Sequence, residues 1–350
     1  MYTEIIRLNG GAEDEAAISK AGGLIKAGEL VGMPTETVYG LAGDALNPAS
    51  SKKIYAAKGR PSDNPLIVHI SDWDHLKPIV SEIPESAKLL ADKFWPGPLT
   101  LIFNKSDLIP LETTGGLETV AVRMPIHPVA RALIRESTGY IAAPSANASG
   151  RPSCTTAEEV YEDMNGLIPL ILDGGPSDIG LESTILDLSD SVPELLRPGG
   201  ISLSELTACL GNIKINPAID GVLDPAQKPK APGMKYRHYA PKGRLIIVEG
   251  ARDKVVAAIN HELMKALSTG KKAAVIASEE TADEYKGDIV RSIGSLTDES
   301  EIARRLFNIL REMDKLNAEL IFAEAFHTPR LGMAIMNRLI RAAGHNIIYV

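Results

Sequence analysis

Between residues 244 and 350 short apolar runs alternate with amphipathic stretches in strict order, and this pattern constrains the fold more than any other feature of the chain. RLIIVEG (244–250), KKAAVIAS (271–278), DIVRSIG (288–294), AELIFAEAF (318–326) and the closing NIIYV read as strands, with helices near 253–268, 298–316 and 331–343. Strands that are apolar throughout and separated by helices are what a parallel sheet covered on both faces requires. This stretch is therefore read as a small Rossmann-like domain. No GxGxxG turn follows its first strand, so nucleotide binding does not follow from the architecture.

Residues 1–213 are also α/β in pattern, but less regular. Helices are expected at 12–28, 48–57, 85–95, 127–137 and 155–164. Strands are expected at 30–33, 66–70, 99–103, 119–124, 140–143, 169–172, 183–188 and 194–197. Between the two halves, the segment 216–243 holds five prolines and no sustained apolar periodicity, which reads as a long connection. The expected organisation is a first domain over 1–213, a linker over 214–243 and a second domain over 244–350.

Bulk composition excludes several classes. With 44% hydrophobic and 23% charged residues the chain has the mix of a soluble globular protein. A net charge of −8 leaves no global footprint for a polyanion, so phosphate binding has to be local. No apolar run approaches the ~20 residues needed to cross a bilayer, and no basic leader precedes MYTEIIRLNGG, so a cytoplasmic location is expected. Cys154 and Cys209 have neither disulfide nor zinc spacing and are read as small apolar residues.

Four polar segments fall at expected strand ends, where open α/β sheets place ligands. PTETVYGLAGDA (34–45) reads as a strand-to-helix loop. KGRPSDNPLIVHI (58–70) follows a helix with Asn47 as N-cap, Pro48 at its first position and Gly59 as a left-handed cap, so Lys58 and Arg60 are expected to project from a tight turn. Two such cations suit a polyphosphate, since Arg forms forked hydrogen bonds and Lys a compact charge. APSANASGRPS (143–153) is a small-residue loop that lets backbone N–H groups approach an anion. In the fourth segment, GGPSDIGLESTILDL with LLRPGG, Ser183 and Arg197 are both expected at one strand-end crevice. Ser145 is not in a G-x-S-x-G elbow, and His127 reads as a residue near a helix cap.

In this order the motifs PTETVYGL, KGRPSDNPL, WPGPLT, VRMP, APSANASGRPS, EST and LRPG, followed by HYAP and AIMNRL, resemble the YrdC/Sua5 family of L-threonylcarbamoyladenylate synthases, in its two-domain form. The resemblance implies a twisted mixed-sheet YrdC-like catalytic domain plus a smaller Rossmann-like parallel α/β C-terminal domain. It also implies a reaction of ATP, L-threonine and bicarbonate that yields L-threonylcarbamoyl-AMP and pyrophosphate. By the same resemblance Lys58, Arg60, Ser145 and Asn147 form the catalytic set around the phosphates, with Asn64, Thr119, Ser153, Arg197 and Tyr236 on the nucleotide side. Thr37, His69, Arg123, Ser183 and the backbone of Ala143 fall on the threonine side. Mg²⁺ is expected to arrive with ATP, no tightly bound organic cofactor is implied, and the product would go to a tRNA threonylcarbamoyl transferase. The linker with Tyr236 and Tyr239 is read as a possible lid over the nucleotide. The rival reading is a double-stranded RNA-binding or ribosome-maturation factor whose basic turn contacts RNA phosphates, and weak RNA or tRNA binding is compatible with either.

Overall fold

A computed structural model describes the chain except residues 1, 220, 222–227 and 235–237. The chain divides into two compact units, Met1–Ser149 with Ser153–Lys235, and Gly150–Pro152 with Tyr236–Val350.

In the first unit the strands are β1 (Glu4–Arg7), β2 (Val31–Met33), β3 (Gly40–Asp44), β4 (Ile67–His69), β5 (Leu99–Asn104), β6 (Thr119–Arg123), β7 (Ile141–Ala142), β8 (Leu170–Asp173), β9 (Thr184–Asp187), β10 (Glu194–Arg197) and β11 (Lys214–Ile215). They form one eleven-stranded mixed sheet in the order β1-β8-β2-β3-β7-β4-β6-β5-β9-β10-β11. Helices Ala12–Lys26 and Pro128–Glu136 pack on it through Ala21, Ile25, Ala130, Leu133 and Ile134. A larger apolar cluster containing Leu41, Ile54, Val68, Leu101, Val122 and Leu186 forms the main core. The expected helices and strands are all present. The structure adds β1, β3, β11 and the helix Leu203–Leu210, whose start carries a reciprocal Ser202/Glu205 cap.

PTETVYGLAGDA is not a strand-to-helix loop: its second half is β3, which returns antiparallel to β2 with Met33 opposite Gly40. Glycines let this strand sit where its neighbours crowd it. A Cβ on Gly43 would lie 2.9 Å from Leu30, and one on Gly40 would lie 3.1 Å from the Cβ of Ala143.

The second unit holds β12 (Arg244–Glu249), β13 (Ala273–Ala277), β14 (Ile289–Ser292), β15 (Leu320–Glu324) and β16 (Ile347–Tyr349), in the order β14-β13-β15-β12-β16. Every pairing is parallel, as the alternating pattern requires. Tyr239 packs in this unit, its ring stacked on Phe307 with centroids 5.1 Å apart.

The helix Pro48–Lys58 ends on Lys58, the first candidate site residue, and its ends are set locally. The Asn47 side chain accepts a hydrogen bond from the Ala49 N–H at 2.9 Å, Pro48 opens the first turn, and Gly59 closes the last with φ 60°. Asn47→Ala should lower stability by about 1 kcal/mol, read as a lower urea midpoint, while Asn47→Asp should stay near wild type. Equal midpoints for wild type and Asn47→Ala would contradict the capping role.

Candidate active site

Lys58 ends its helix buried, only 4% exposed, and its ammonium donates to the carbonyls of Ser145 and Asn147. The helix dipole favours a cation at that end. Lys58 also returns a backbone bond, its carbonyl accepting from the Ser149 N–H at 2.8 Å. Arg60 is buried as well: Nε donates to the Asn64 carbonyl at 3.2 Å and Nη2 to that of Pro65 at 3.0 Å. The two cations therefore do not project from the turn. They point inward, because a desolvated charge is tolerable only where dipoles surround it.

Asn64 lies on the same turn, with a buried Oδ1 that has no hydrogen-bond partner among the described residues. Ser145 and Asn147 meet Lys58 through their backbones, while the Asn147 amide donates to the Ala148 carbonyl at 2.8 Å. Ser145 also bridges to Gly40. The loop 145–149 is thus tied to the helix end and to β3.

A second group runs across the sheet. Register places His69 of β4 beside Arg123 of β6, and Arg123 beside Thr100 of β5. Directly paired residues share a face. Thr100 then meets Ser183, just before β9, oxygen to oxygen at 2.7 Å. Arg197 grips Ser183 twice, Nε to its carbonyl and Nη2 to its hydroxyl, both at 3.1 Å, and Nη1 donates to the Pro232 carbonyl at 3.4 Å.

The Arg123 guanidinium donates from Nη1 to Thr37 Oγ1 at 2.8 Å, from Nη2 to Glu36 Oε1 at 2.6 Å and from Nε to the Gly97 carbonyl at 3.3 Å. Burial works against the Glu36 carboxylate, but the charge and hydrogen bond of Arg123 outweigh it and hold the carboxyl below its ordinary range. His69 is buried beside this cation, with Nδ1 3.1 Å from the Ile67 carbonyl. Burial first and Arg123 second push its pKa down to about 3, so the imidazole is neutral.

The remaining candidates are less tightly gathered. Ser153 is buried and donates to Glu182 at 2.6 Å, and the Ala143 N–H is used by the Ile67 carbonyl at 3.0 Å. Thr119 stands at the opposite end of β6 from Arg123, paired with Asn104. Tyr236 lies outside the described residues. His127 takes the N-cap position of its helix without a side-chain cap bond. Glu36 and Thr100 were missed as site residues in the sequence reading. Both lie inside motifs already singled out, and Glu36 is the one carboxylate in PTETVYGL. Among the described residues no three His, Cys, Asp or Glu side chains gather as a metal-holding group.

A buried Arg–Glu pair in a row of hydroxyls and a neutral imidazole, with a cation-braced polar loop tied to the same sheet, is chemically suited to an amino acid and an anionic co-substrate in an α/β fold. Family models give the class a name. The model described as "Telomere recombination", the Sua5/YciO/YrdC type, matches residues 23–199, and "Threonylcarbamoyl-AMP synthase, C-terminal domain" matches residues 201–344. The threonylcarbamoyl-AMP synthase of Pyrococcus abyssi is 50% identical over 96% of this chain and 97% of its own. That of Bacillus subtilis is 47% identical, covering 96% and 95%. The crystal structure of P. abyssi Sua5 complexed with L-threonine superposes with a TM-score of 0.93 at 48% identity, over 100% of both chains. The chain belongs to the two-domain Sua5 type of the threonylcarbamoyl-AMP synthase family.

Because His69 is neutral when folded and free to take a proton when unfolded, the unfolded chain binds more protons between its ordinary value of 6.5 and about 3. Stability should therefore fall as pH drops through that window, by up to about 1.4 kcal/mol per pH unit from this group. His69→Gln should flatten the slope in a denaturant series measured from neutral to acid pH. An unchanged slope would contradict the buried neutral imidazole.

Proposed function

We propose that the chain catalyses L-threonine + bicarbonate + ATP → L-threonylcarbamoyl-AMP + pyrophosphate + water, supplying the group placed on N6 of adenosine 37 in tRNAs that read ANN codons. The observation that carries this reading is the Arg123 cluster. A guanidinium has five N–H donors, and three are engaged among the described residues. Two remain for a substrate carboxylate, which a guanidinium binds in a forked pair. Neutral His69, Thr37 and Ser183 stand beside it to meet the threonine hydroxyl and backbone groups, and the Ala143 carbonyl would offer an acceptor. A threonine complex is known for the similar P. abyssi protein.

On the nucleotide side, Lys58, Arg60, Asn64, Ser145, Asn147, Ser153 and Arg197 are assigned to the triphosphate, with Thr119 and Tyr236 at its margins. Threonine's amine first combines with bicarbonate to give N-carboxythreonine. The new carboxylate then attacks the α-phosphorus in line, the bond to the β-phosphate oxygen breaks, and pyrophosphate leaves with the electron pair. No covalent enzyme intermediate is needed, so catalysis rests on positioning and charge stabilisation. Mg²⁺ belongs with the ATP phosphates as part of the substrate and lowers the cost of charge on the leaving group. The segment 214–243, expected as a linker and lid, falls partly outside the described residues, and β11 at its start belongs to the sheet of the first unit. No helix among the described residues is long and apolar enough to cross a membrane, and a cytoplasmic site of action suits a tRNA-modifying pathway.

Lys58→Ala and Arg60→Ala should each slow ATP/pyrophosphate exchange by about 30- to 1,000-fold, the rate equivalent of about 2–4 kcal/mol of lost transition-state stabilisation. Melting curves would confirm that the variants fold. Exchange should require threonine and bicarbonate and no RNA. Undiminished exchange in both folded variants, or exchange that depends on RNA instead, would overturn the assignment.

A further inference from the structure

Glu36 lies at the centre of the threonine side, yet no step above uses it. It is 3% exposed. Its Oε1 is taken by Arg123 at 2.6 Å, while Oε2 is buried with no hydrogen-bond partner among the described residues. The backbones of Glu36 itself and of Ile126 add to the lowering of the carboxyl's pKa, but no donor among the described residues meets hydrogen-bond geometry at Oε2. An ionised carboxylate with one oxygen unpartnered among the described residues is costly to bury, and a ligand donor at that oxygen would offset the cost.

The backbone that carries the side chain is also held in position. The Glu36 carbonyl accepts from the Ile179 N–H at 2.8 Å, and the carbonyl of Thr35 accepts from Ser177 at 2.9 Å. On the far side, Thr35 Oγ1 bonds Thr37 Oγ1 at 2.9 Å, so the whole turn is fixed against the guanidinium.

We propose that Glu36 is the acceptor for threonine's α-amino group, an inference that rests on the threonine assignment above. A free amino acid is itself a dipole, with its ammonium one carbon from its carboxylate. Set against the Arg123–Glu36 pair in the opposite sense, its carboxylate takes the two remaining guanidinium N–H groups and its ammonium reaches Oε2. The four charges then alternate, and every buried charge has a partner.

Carbamate formation, R–NH₃⁺ + HCO₃⁻ → R–NH–COO⁻ + H₂O + H⁺, leaves one N–H on nitrogen for Glu36 to keep. A carboxylate held ionised by Arg123 is a poor base, so Glu36 orients the nitrogen and the departing proton goes to solvent. The residue is a binding and positioning group that selects α-amino acids over hydroxy acids.

The test compares L-threonine with 2,3-dihydroxybutanoate, which keeps the carboxylate and the side-chain hydroxyl but replaces the amine with a hydroxyl, by calorimetry on the full chain. Wild type should prefer threonine. Glu36→Gln should weaken threonine by about 10- to 100-fold, as expected for a lost charge-assisted hydrogen bond, and leave the analogue within about threefold. If both ligands weaken by the same factor, Glu36 only orients Arg123 and the proposal is overturned. Unchanged threonine binding overturns it too. Should Glu36→Gln fail to fold, Glu36→Asp carries the same comparison: a smaller threonine advantage supports the proposal, and a parallel loss in both ligands overturns it. Wild-type chain that bound neither ligand would remove the threonine assignment itself, and this proposal with it.

Discussion

The Lys58 ammonium is the point on which the proposed nucleotide side is built. It sits buried at the carboxyl end of the helix Pro48–Lys58, where the helix dipole is favourable, and it holds the Ser145 and Asn147 carbonyls. A cation in that place without dipoles around it would be strongly destabilising, so the loop 145–149 and the helix end stabilise each other. The consequence for function is that the loop is shaped before any nucleotide arrives, which is the condition under which fixed dipoles assist a reaction most. Arg60 follows the same logic one turn on, spending donors on the Asn64 and Pro65 carbonyls.

The proposed amino-acid side depends on sheet register. β4, β6 and β5 align His69, Arg123 and Thr100, and the Thr100–Ser183 contact extends the row to the start of β9. A slip of one residue in any of these pairings would turn its side chain to the other face. Arg197, assigned to the nucleotide, bonds Ser183, assigned to threonine, so residues proposed for different substrates share one hydrogen-bond network. Substitution at Ser183 or Arg197 is accordingly expected to couple, with effects that do not add.

Much of this was legible in the sequence where a local rule decides the outcome. Asn47, Pro48 and Gly59 bound their helix as their intrinsic preferences require, and the alternating runs after residue 244 became an all-parallel sheet. The polar motifs marked the loops that the fold brings together. What could not be read was set by long-range packing. β3 is poor in strand formers and rich in glycine, and it forms because β2 and β7 flank it, with little space for a side chain at Gly40 beside Ala143 or at Gly43 beside Leu30 and Ile54. The inward direction of Lys58 and Arg60 depends on carbonyls supplied by a loop almost ninety residues away in one case and by the same turn in the other. Glu36 was passed over because a lone carboxylate in a loop carries no signal until its guanidinium partner, 87 residues on, is known.

The central claim is that one site joins threonine, bicarbonate and ATP into a mixed acyl-phosphate product. Mass spectrometry of the small-molecule fraction, after incubating the full chain with MgATP, L-threonine and isotopically labelled bicarbonate, tests it most directly. The account predicts an adenylate that contains threonine and carries the bicarbonate label, formed together with pyrophosphate. Label absent from the adenylate, or AMP as the only adenine product even at the earliest times, would contradict it.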